Sequence, residues 1–145
     1  MLREDGIVMD DGTTTRISEN HYHMTTTTAQ APNVLSHLEY YLQVVWPKLN
    51  VNVVSTTEQW AGAAIAGPKS RDVLQKLFPD INVSNEGLPF MGYVEGNLFG
   101  IYARIFRISF SGELAYEVNV ESDNGNFMWE KIMEIGKGFE IQPYG

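Results

Sequence analysis

The sequence predicts an α+β protein with antiparallel or mixed sheets and split β-α-β, ferredoxin-like units. Several short stretches alternate between apolar and polar residues and are bounded by turn residues, which is typical of half-buried strands. Three other stretches carry apolar residues at helical spacing. Hairpin-like pairs of strands lie between the helices, so the pattern differs from the regular alternation of a doubly wound parallel sheet.

Length and composition fit a single globular domain over residues 1–145. The chain is 43% hydrophobic and 19% charged, an ordinary globular composition. Its formal net charge of −8 argues against a general surface for nucleic acid or anionic membranes, which requires clustered Lys and Arg. The absence of cysteine excludes disulfides and thiolate zinc sites. No apolar run approaches the roughly 20 residues of a membrane span, so we expect a cytoplasmic protein.

Three short strands are predicted at the start of the chain, over residues 6–12, 13–17 and 21–27. Asp10 and Asp11 lie at the end of the first strand, where alternation directs one carboxylate to each face. Both a solvated turn and a functional pair of acids are compatible with this position.

An amphipathic helix is predicted over residues 29–46. Thr28 can cap it, Pro32 fits its first turn and Pro47 ends it. Its apolar residues form one stripe, as in an amphipathic helix.

The middle of the chain predicts a strand over residues 50–56, a central strand over 60–67 and a helix over 68–78. Gly, Pro, Lys and Ser at 67–70 join the last two elements. This spacing differs from a phosphate-binding loop, so a tight turn is favoured.

The second half predicts a strand from Phe90 with a Glu-Gly-Asn turn, a hairpin over 101–120 and a last helix that begins near Ser122. Met128, Ile132 and Ile135 form the inner stripe of that helix. The stretch 139–145 is strand-like and lacks a polar tail, which predicts that the chain belongs to a longer polypeptide.

The hairpin carries polar groups at its tip, residues 107–118. Ser109, Ser111 and Glu113 are ordinary turn residues. Glu117 lies inside the returning strand, where a carboxylate either faces water or is held by donors. The residues alone leave a solvated hairpin and a binding surface equally open.

Other chemistry finds little support in the sequence. His21 and His23 share a strand face, but no third ligand accompanies them, so no metal site is predicted. Neither a G-x-S-x-G elbow nor a G-x-G-x-x-G motif is present. The remaining candidates are carboxylates near aromatic and sulfur side chains, a combination that suits a planar heterocycle with N–H donors. They are Asp10, Asp11, Glu113, Glu117, Phe90, Met91, Tyr93, Phe110 and Tyr116.

Five segments in register over the whole chain carry a family resemblance: 5–11, 66–74, 88–92, 107–117 and 143–145. Together they resemble the folate-binding aminomethyltransferase domain shared by the glycine-cleavage T-protein and by sarcosine- and dimethylglycine-oxidising enzymes. Met-Asp-Asp-Gly-Thr-Thr at 9–14 and the extended form of the segment ending at Glu117 are most similar to the variants in sarcosine oxidase alpha subunits.

The resemblance implies a set of folate-binding residues. Asp11 corresponds to the acid near the reactive nitrogens of tetrahydrofolate and is the implied catalytic residue. Glu117 corresponds to the acid that pairs with the amide and amino edge of the pterin. Phe110 takes the place of a tyrosine in the T-protein, and Met91 and Gln30 fall at further folate contacts.

The implied function is transfer of the one-carbon unit of oxidised sarcosine to tetrahydrofolate, giving 5,10-methylenetetrahydrofolate. Implied partners are the other sarcosine oxidase subunits, with FAD, FMN and NAD bound elsewhere in the complex, and the isolated segment is expected to be inactive. Two alternatives remain open: a T-protein-like aminomethyltransferase and a non-catalytic folate-binding module.

Overall fold

The computed structural model describes residues 1–144, which form two compact units. The first unit spans Met1–Thr57 and the second begins at Glu58. Each unit has its own antiparallel sheet, of two strands in the first and four in the second. None of the helices within residues 1–144 has the length and apolar character needed to cross a bilayer.

The first unit begins with a hairpin of β1 (Thr14–Ser18) and β2 (His21–Met24). The strand predicted over 6–12 is wrong, because this segment makes only an isolated bridge between Leu2 and Val8. The end of this segment is fixed by side-chain hydrogen bonds rather than by pairing with a neighbouring strand. The Asp10 carboxylate accepts hydrogen bonds from a later segment, so the chain leaves the extended path that a third strand of the meander requires.

The predicted first helix is confirmed, with a different start. A 3-10 turn at Thr28–Gln30 leads into α1 (Ala31–Tyr40), which continues as a π-helical turn, Tyr41–Val45. Pro32 lies in the first turn of α1, as expected. Capping by Thr28 is wrong: no side chain caps either segment, and Thr27 is the last extended residue before them.

The first unit buries little apolar surface. Among residues 1–57, only Val34 and Asp10 are less than 9% exposed, at 3% and 7%. The strand predicted over 50–56 is not formed there, and Val51 and Val54 are exposed. The alternation of apolar and polar residues over 50–56 is not enough to form a strand, because a strand also needs a partner that satisfies its backbone hydrogen-bonding groups.

The second unit confirms the α+β class. Its four strands are antiparallel in the order β3-β6-β5-β4, and α2 joins β3 to β4, with β6 and β5 lying between them. The elements are β3 (Trp60–Ala66), α2 (Ser70–Leu77), β4 (Tyr93–Leu98), β5 (Ile101–Phe106), β6 (Ala115–Glu121) and α3 (Gly125–Gly136).

The two faces of this sheet differ in chemistry. One face packs against α2 and α3 and forms the core. The pairing register places the alternate residues of each strand on the opposite face, which is rich in polar, aromatic and small side chains. The buried core residues are Ile65, Val73, Leu74, Leu77, Phe78, Val83, Leu88, Leu98, Ala103, Ile105, Tyr116, Val118, Val120, Met128 and Ile132.

The link between β3 and α2 is the predicted tight turn. Gly67 has φ +109°, a conformation that favours glycine, and its carbonyl accepts a hydrogen bond from the Ser70 N–H at 3.0 Å. The Ser70 hydroxyl donates to the Leu114 carbonyl at 3.0 Å. This bond fastens the start of α2 to the segment that precedes β6.

Three predictions about the second unit are wrong. The strand over 60–67 was expected at the centre of its sheet, but β3 is an outer strand among the described residues. The Glu-Gly-Asn turn at 95–97 lies inside β4, because the chain reverses instead at Gly100, which has φ +98° and donates its N–H to the side chain of Asn97. The stretch 139–144 forms no strand, since Ile141 packs on Gly136 after α3.

The buried Tyr116 provides a test of this core. Its side chain is 0% exposed and its hydroxyl has no hydrogen-bond partner within residues 1–144. An unpartnered buried hydroxyl costs about 1–3 kcal/mol, so Tyr116→Phe is expected to leave the free energy of unfolding unchanged or raise it by up to about 1 kcal/mol. Urea denaturation measures this. Tyr93→Phe, which removes a hydroxyl that donates to Glu95, is the control and is expected to be destabilising.

Candidate functional site

In the first unit, the carboxylate of Asp10 fixes the loop that also carries Asp11. It accepts hydrogen bonds from the backbone N–H of Thr27 at 2.9 Å and from the Thr27 hydroxyl at 2.7 Å. Gly12 lies so close to the carbonyl of Thr25 that a Cβ at this position would collide with it. The loop is therefore pinned on both sides of Asp11.

Asp10 and Asp11 consequently have different environments. Hydrogen bonds from Thr27 lower the pKa of the Asp10 carboxyl despite opposing desolvation. Asp11 is exposed, and no hydrogen bond to its carboxylate is formed within residues 1–144. This leaves Asp11 available to a ligand while Asp10 supports the loop. The assignment of Asp11 as the acid near folate remains a prediction.

Gln30 also belongs to the first unit, at the residue before α1. It is half-buried, and its side-chain carbonyl accepts a hydrogen bond from the Asn33 amide at 2.8 Å. Its amide nitrogen remains available for a folate contact, which stays a prediction.

In the second unit, a cleft of about 280 Å³ lies over the start of β6 and the end of β3, on the face away from the helices. Its walls are mostly apolar and its acids are Glu113 and Glu117. The lining residues are Ala64, Ala66, Gly67, Ile108, Phe110, Ser111, Glu113, Ala115, Glu117 and Tyr144.

Glu117 lies in this cleft because the side chains of β6 alternate between the two faces of the sheet. Its neighbours Tyr116 and Val118 are fully buried on the core face, so Glu117 must point to the opposite face, beside Ala64 of β3. Desolvation raises the pKa of the half-buried carboxyl. No donor within residues 1–144 hydrogen-bonds to it. A desolvated acid without a partner is suited to accept N–H bonds from a ligand.

Phe110 lines the same cleft as Glu117. Its ring is fully exposed, and it belongs to the segment between β5 and β6 rather than to either strand. An exposed apolar ring beside an acid can stack on a flat heterocycle. Met91, by contrast, is not among the residues that line the cleft. It is 58% exposed, has φ +63°, and donates its N–H to the Arg107 carbonyl.

Glu113, a turn residue that was also one of the candidate carboxylates, lies on the cleft wall. Ala64 and Ala66, which the sequence did not suggest as site residues, form the part of the wall that belongs to β3. The signal was present in the small residues of β3. These small side chains leave room above the sheet.

The chain belongs to the GCVT N-terminal domain family, whose model matches residues 1–145. It is 51% identical over 147 residues to "Sarcosine oxidase subunit alpha" from Rhizobium meliloti (strain 1021) and 49% identical over 146 residues to the protein of that name from Corynebacterium sp. (strain P-1). An "Aminomethyltransferase" from Halothermothrix orenii is 28% identical over 149 residues.

These relatives are much longer than the chain. Each alignment covers 100% of the chain, but only 15% of either sarcosine oxidase subunit and 38% of the aminomethyltransferase. The predicted family resemblance is confirmed at this level, and the chain corresponds to one segment of those proteins.

The pKa of Asp10 gives a pH-dependent prediction. A lowered pKa in the folded state contributes stability above the reference value of 3.8, and this stability is lost as pH falls through the folded-state pKa. Asp10→Asn is therefore expected to lower the free energy of unfolding at pH 7 and to change it little at about pH 2. Denaturation at several pH values tests this. Asp11→Asn is the matched control, and an equal loss in both variants would contradict the role assigned to Asp10.

The raised pKa of Glu117 predicts the opposite effect on the free energy of unfolding. A raised acid pKa penalises the folded state once pH exceeds the reference value of 4.5. Glu117→Gln is thus expected to raise the unfolding free energy at pH 7, and this gain is expected to vanish at about pH 3. The matched control is Glu121→Gln, an exposed acid on the same strand. A destabilised Glu117→Gln at pH 7 would indicate that the carboxylate has a stabilising partner.

Proposed function

We propose that this chain is the tetrahydrofolate-binding part of a sarcosine oxidase alpha subunit. It passes the one-carbon unit of oxidised sarcosine to tetrahydrofolate, giving 5,10-methylenetetrahydrofolate and glycine. The proposal is supported by the family match and by the two sarcosine oxidase relatives at about half identity.

The observation that carries the proposal is the position of Glu117. The pterin of a folate is a flat ring with an amide N–H and an amino group on one edge, and a carboxylate can accept both hydrogen bonds. Glu117 offers such a carboxylate in a mostly apolar cleft, next to the exposed ring of Phe110. Met91 and Gln30 are proposed as further folate contacts. The cleft itself provides the acid and the flat surface that this ligand needs.

Asp11 is the proposed catalytic residue. Attack of a folate nitrogen on the imine carbon forms a C–N bond and breaks the C=N π bond, whose electron pair goes to the imine nitrogen; the proton left on the attacking nitrogen can be accepted by a nearby carboxylate. Attack of the second folate nitrogen on the same carbon then releases glycine. The exposed carboxylate of Asp11, on a loop pinned by Asp10 and Gly12, is suited to this role. It would also orient the folate nitrogen before the attack.

The remaining chemistry belongs to the rest of the complex. Oxidation of sarcosine is assigned to a flavin outside this chain, with FAD, FMN and NAD bound by other segments or subunits of a cytoplasmic enzyme. This agrees with the absence of a dinucleotide-binding motif from residues 1–145. The chain alone is expected to be inactive, since it supplies the acceptor site and not the oxidant.

A second candidate is aminomethyl transfer of the T-protein type. It is favoured by the aminomethyltransferases that match the whole chain at 28% identity or less. The two candidates differ in the donor. Free sarcosine with a flavin supports the first, whereas a protein-bound aminomethyl group supports the second.

Folinic acid, a stable reduced folate, tests the proposal. It is to be titrated by calorimetry into the natural full-length protein and its variants. Loss of charged hydrogen bonds worth about 1.5–3 kcal/mol predicts that Glu117→Gln weakens binding by about 10- to 100-fold. Asp11→Asn is expected to slow formation of methylenetetrahydrofolate from sarcosine more than it weakens binding.

Glu121→Gln serves as the control, because this exposed acid lies outside the residues that line the cleft. Unchanged affinity in the Glu117 variant would contradict the pterin assignment. A normal rate of methylenetetrahydrofolate formation in Asp11→Asn would contradict the catalytic role and favour a non-catalytic folate-binding module.

A further inference from the structure

One wall of the cleft beside Glu117 belongs to no helix or strand. Residues 108–113, which we call the cleft loop, lie between β5 and β6. Four of them line the cleft: Ile108, Phe110, Ser111 and Glu113. Within residues 1–144, the cleft loop forms no hydrogen bond of its own. Its conformation therefore depends on the framework that holds its two ends.

The carboxyl-terminal end of the cleft loop is held at Leu114. The Leu114 carbonyl accepts hydrogen bonds from the Gly67 N–H at 2.8 Å and from the Ser70 hydroxyl at 3.0 Å. Both donors lie where β3 passes into α2. This end of the loop is therefore fixed to the sheet and to the first residue of a packed helix.

The amino-terminal end of the cleft loop is held at Arg107, through both backbone and side chain. The Arg107 N–H donates to the Gly92 carbonyl, and its own carbonyl accepts from the Met91 N–H, each at 2.9 Å. Its Nη1 donates to the Leu88 carbonyl at 2.9 Å, and the Leu88 side chain is fully buried in the core. The same nitrogen donates to the side-chain oxygen of Asn85 at 2.8 Å. Arg107 thus fastens the cleft loop to the chain that precedes β4.

A second arginine, Arg71 of α2, provides a comparison. It donates to the same Asn85 oxygen at 2.8 Å and to the Val83 carbonyl at 2.6 Å. Within residues 1–144, Arg71 donates no hydrogen bond to Leu88 or to the cleft loop. The two arginines share a charge and a partner, but only Arg107 adjoins the cleft loop.

We propose that Arg107 is a positioning residue for ligand binding, which sets the ring of Phe110 beside the cleft before the ligand arrives. This inference rests on the proposed function. Because the ring is fully exposed and the cleft loop forms no hydrogen bond, the position of the ring depends on how the ends of the loop are held. A surface that is ordered in advance loses less conformational entropy on binding. Arg107 acts through Phe110 rather than by contact with the ligand.

Titration of folinic acid into the natural full-length protein by calorimetry tests this role. Arg107→Gln is expected to weaken binding about tenfold, because a loop released at one end must be ordered when the ligand binds. Arg107→Lys, which keeps the charge and loses the planar fork, is expected to retain part of the affinity. Arg71→Gln is the charge-matched control and is expected to bind as tightly as the unmodified protein.

A double-mutant cycle with Phe110→Ala separates positioning from a general loss of stability. Phe110→Ala alone is expected to weaken binding. Adding Arg107→Gln to it is expected to weaken binding no further, because the ring through which Arg107 acts is already absent. Thermal unfolding shows which variants are folded. If Arg107→Gln does not fold, the same cycle is carried out with Arg107→Lys.

Three results would overturn the positioning role and leave the pterin assignment intact. They are unchanged affinity in a folded Arg107→Gln variant, an equal loss of affinity in Arg71→Gln, and fully additive losses in the cycle with Phe110→Ala. Glu117→Gln is expected to weaken binding in the same titrations whether or not Arg107 has this role, so the two failures are distinguishable. Failure of the unmodified protein to bind folinic acid would overturn the proposed function and this inference with it.

Discussion

The alternation of β6 is the constraint on which the second unit depends. Tyr116, Val118 and Val120 are each 0% exposed and fill the core under α2 and α3, so their register cannot shift without expelling them all. The same register fixes Glu117 on the opposite face, between β3 and β5. Burial on one face therefore determines which side chains form the site on the other.

The two units maintain their acids by different means. In the first unit, hydrogen bonds from Thr27 stabilise the charge of Asp10, so the loop around Asp11 depends on a polar contact rather than on a core. In the second unit, Glu117 is retained although desolvation disfavours its charge. An acid kept at a cost to stability is typical of a functional position. Asp10 thus supports its loop, whereas the carboxylates of Asp11 and Glu117 are available to a ligand.

Much of the fold could be predicted from local sequence, and the exceptions have physical causes. Helices α1, α2 and α3 were found because one apolar stripe identifies a helix without knowledge of its partners. The strand expected over 50–56 failed because a strand needs a neighbour that alternation cannot reveal. Glu117 and Phe110 could be named from the sequence and share a cleft, whereas the contribution of Ala64 and Ala66 depends on the pairing of β3 with β6, which no local pattern encodes.

The exposed position of Phe110 separates recognition from folding. Its ring packs on nothing that the core requires and lies in the connection between β5 and β6, so many side chains are compatible with the fold at this position. The wall of the cleft can therefore diversify while the sheet beneath it stays constant. Relatives that share this scaffold are free to acquire different ligand preferences through such connections, without first acquiring the compensating mutations that a change in the core demands.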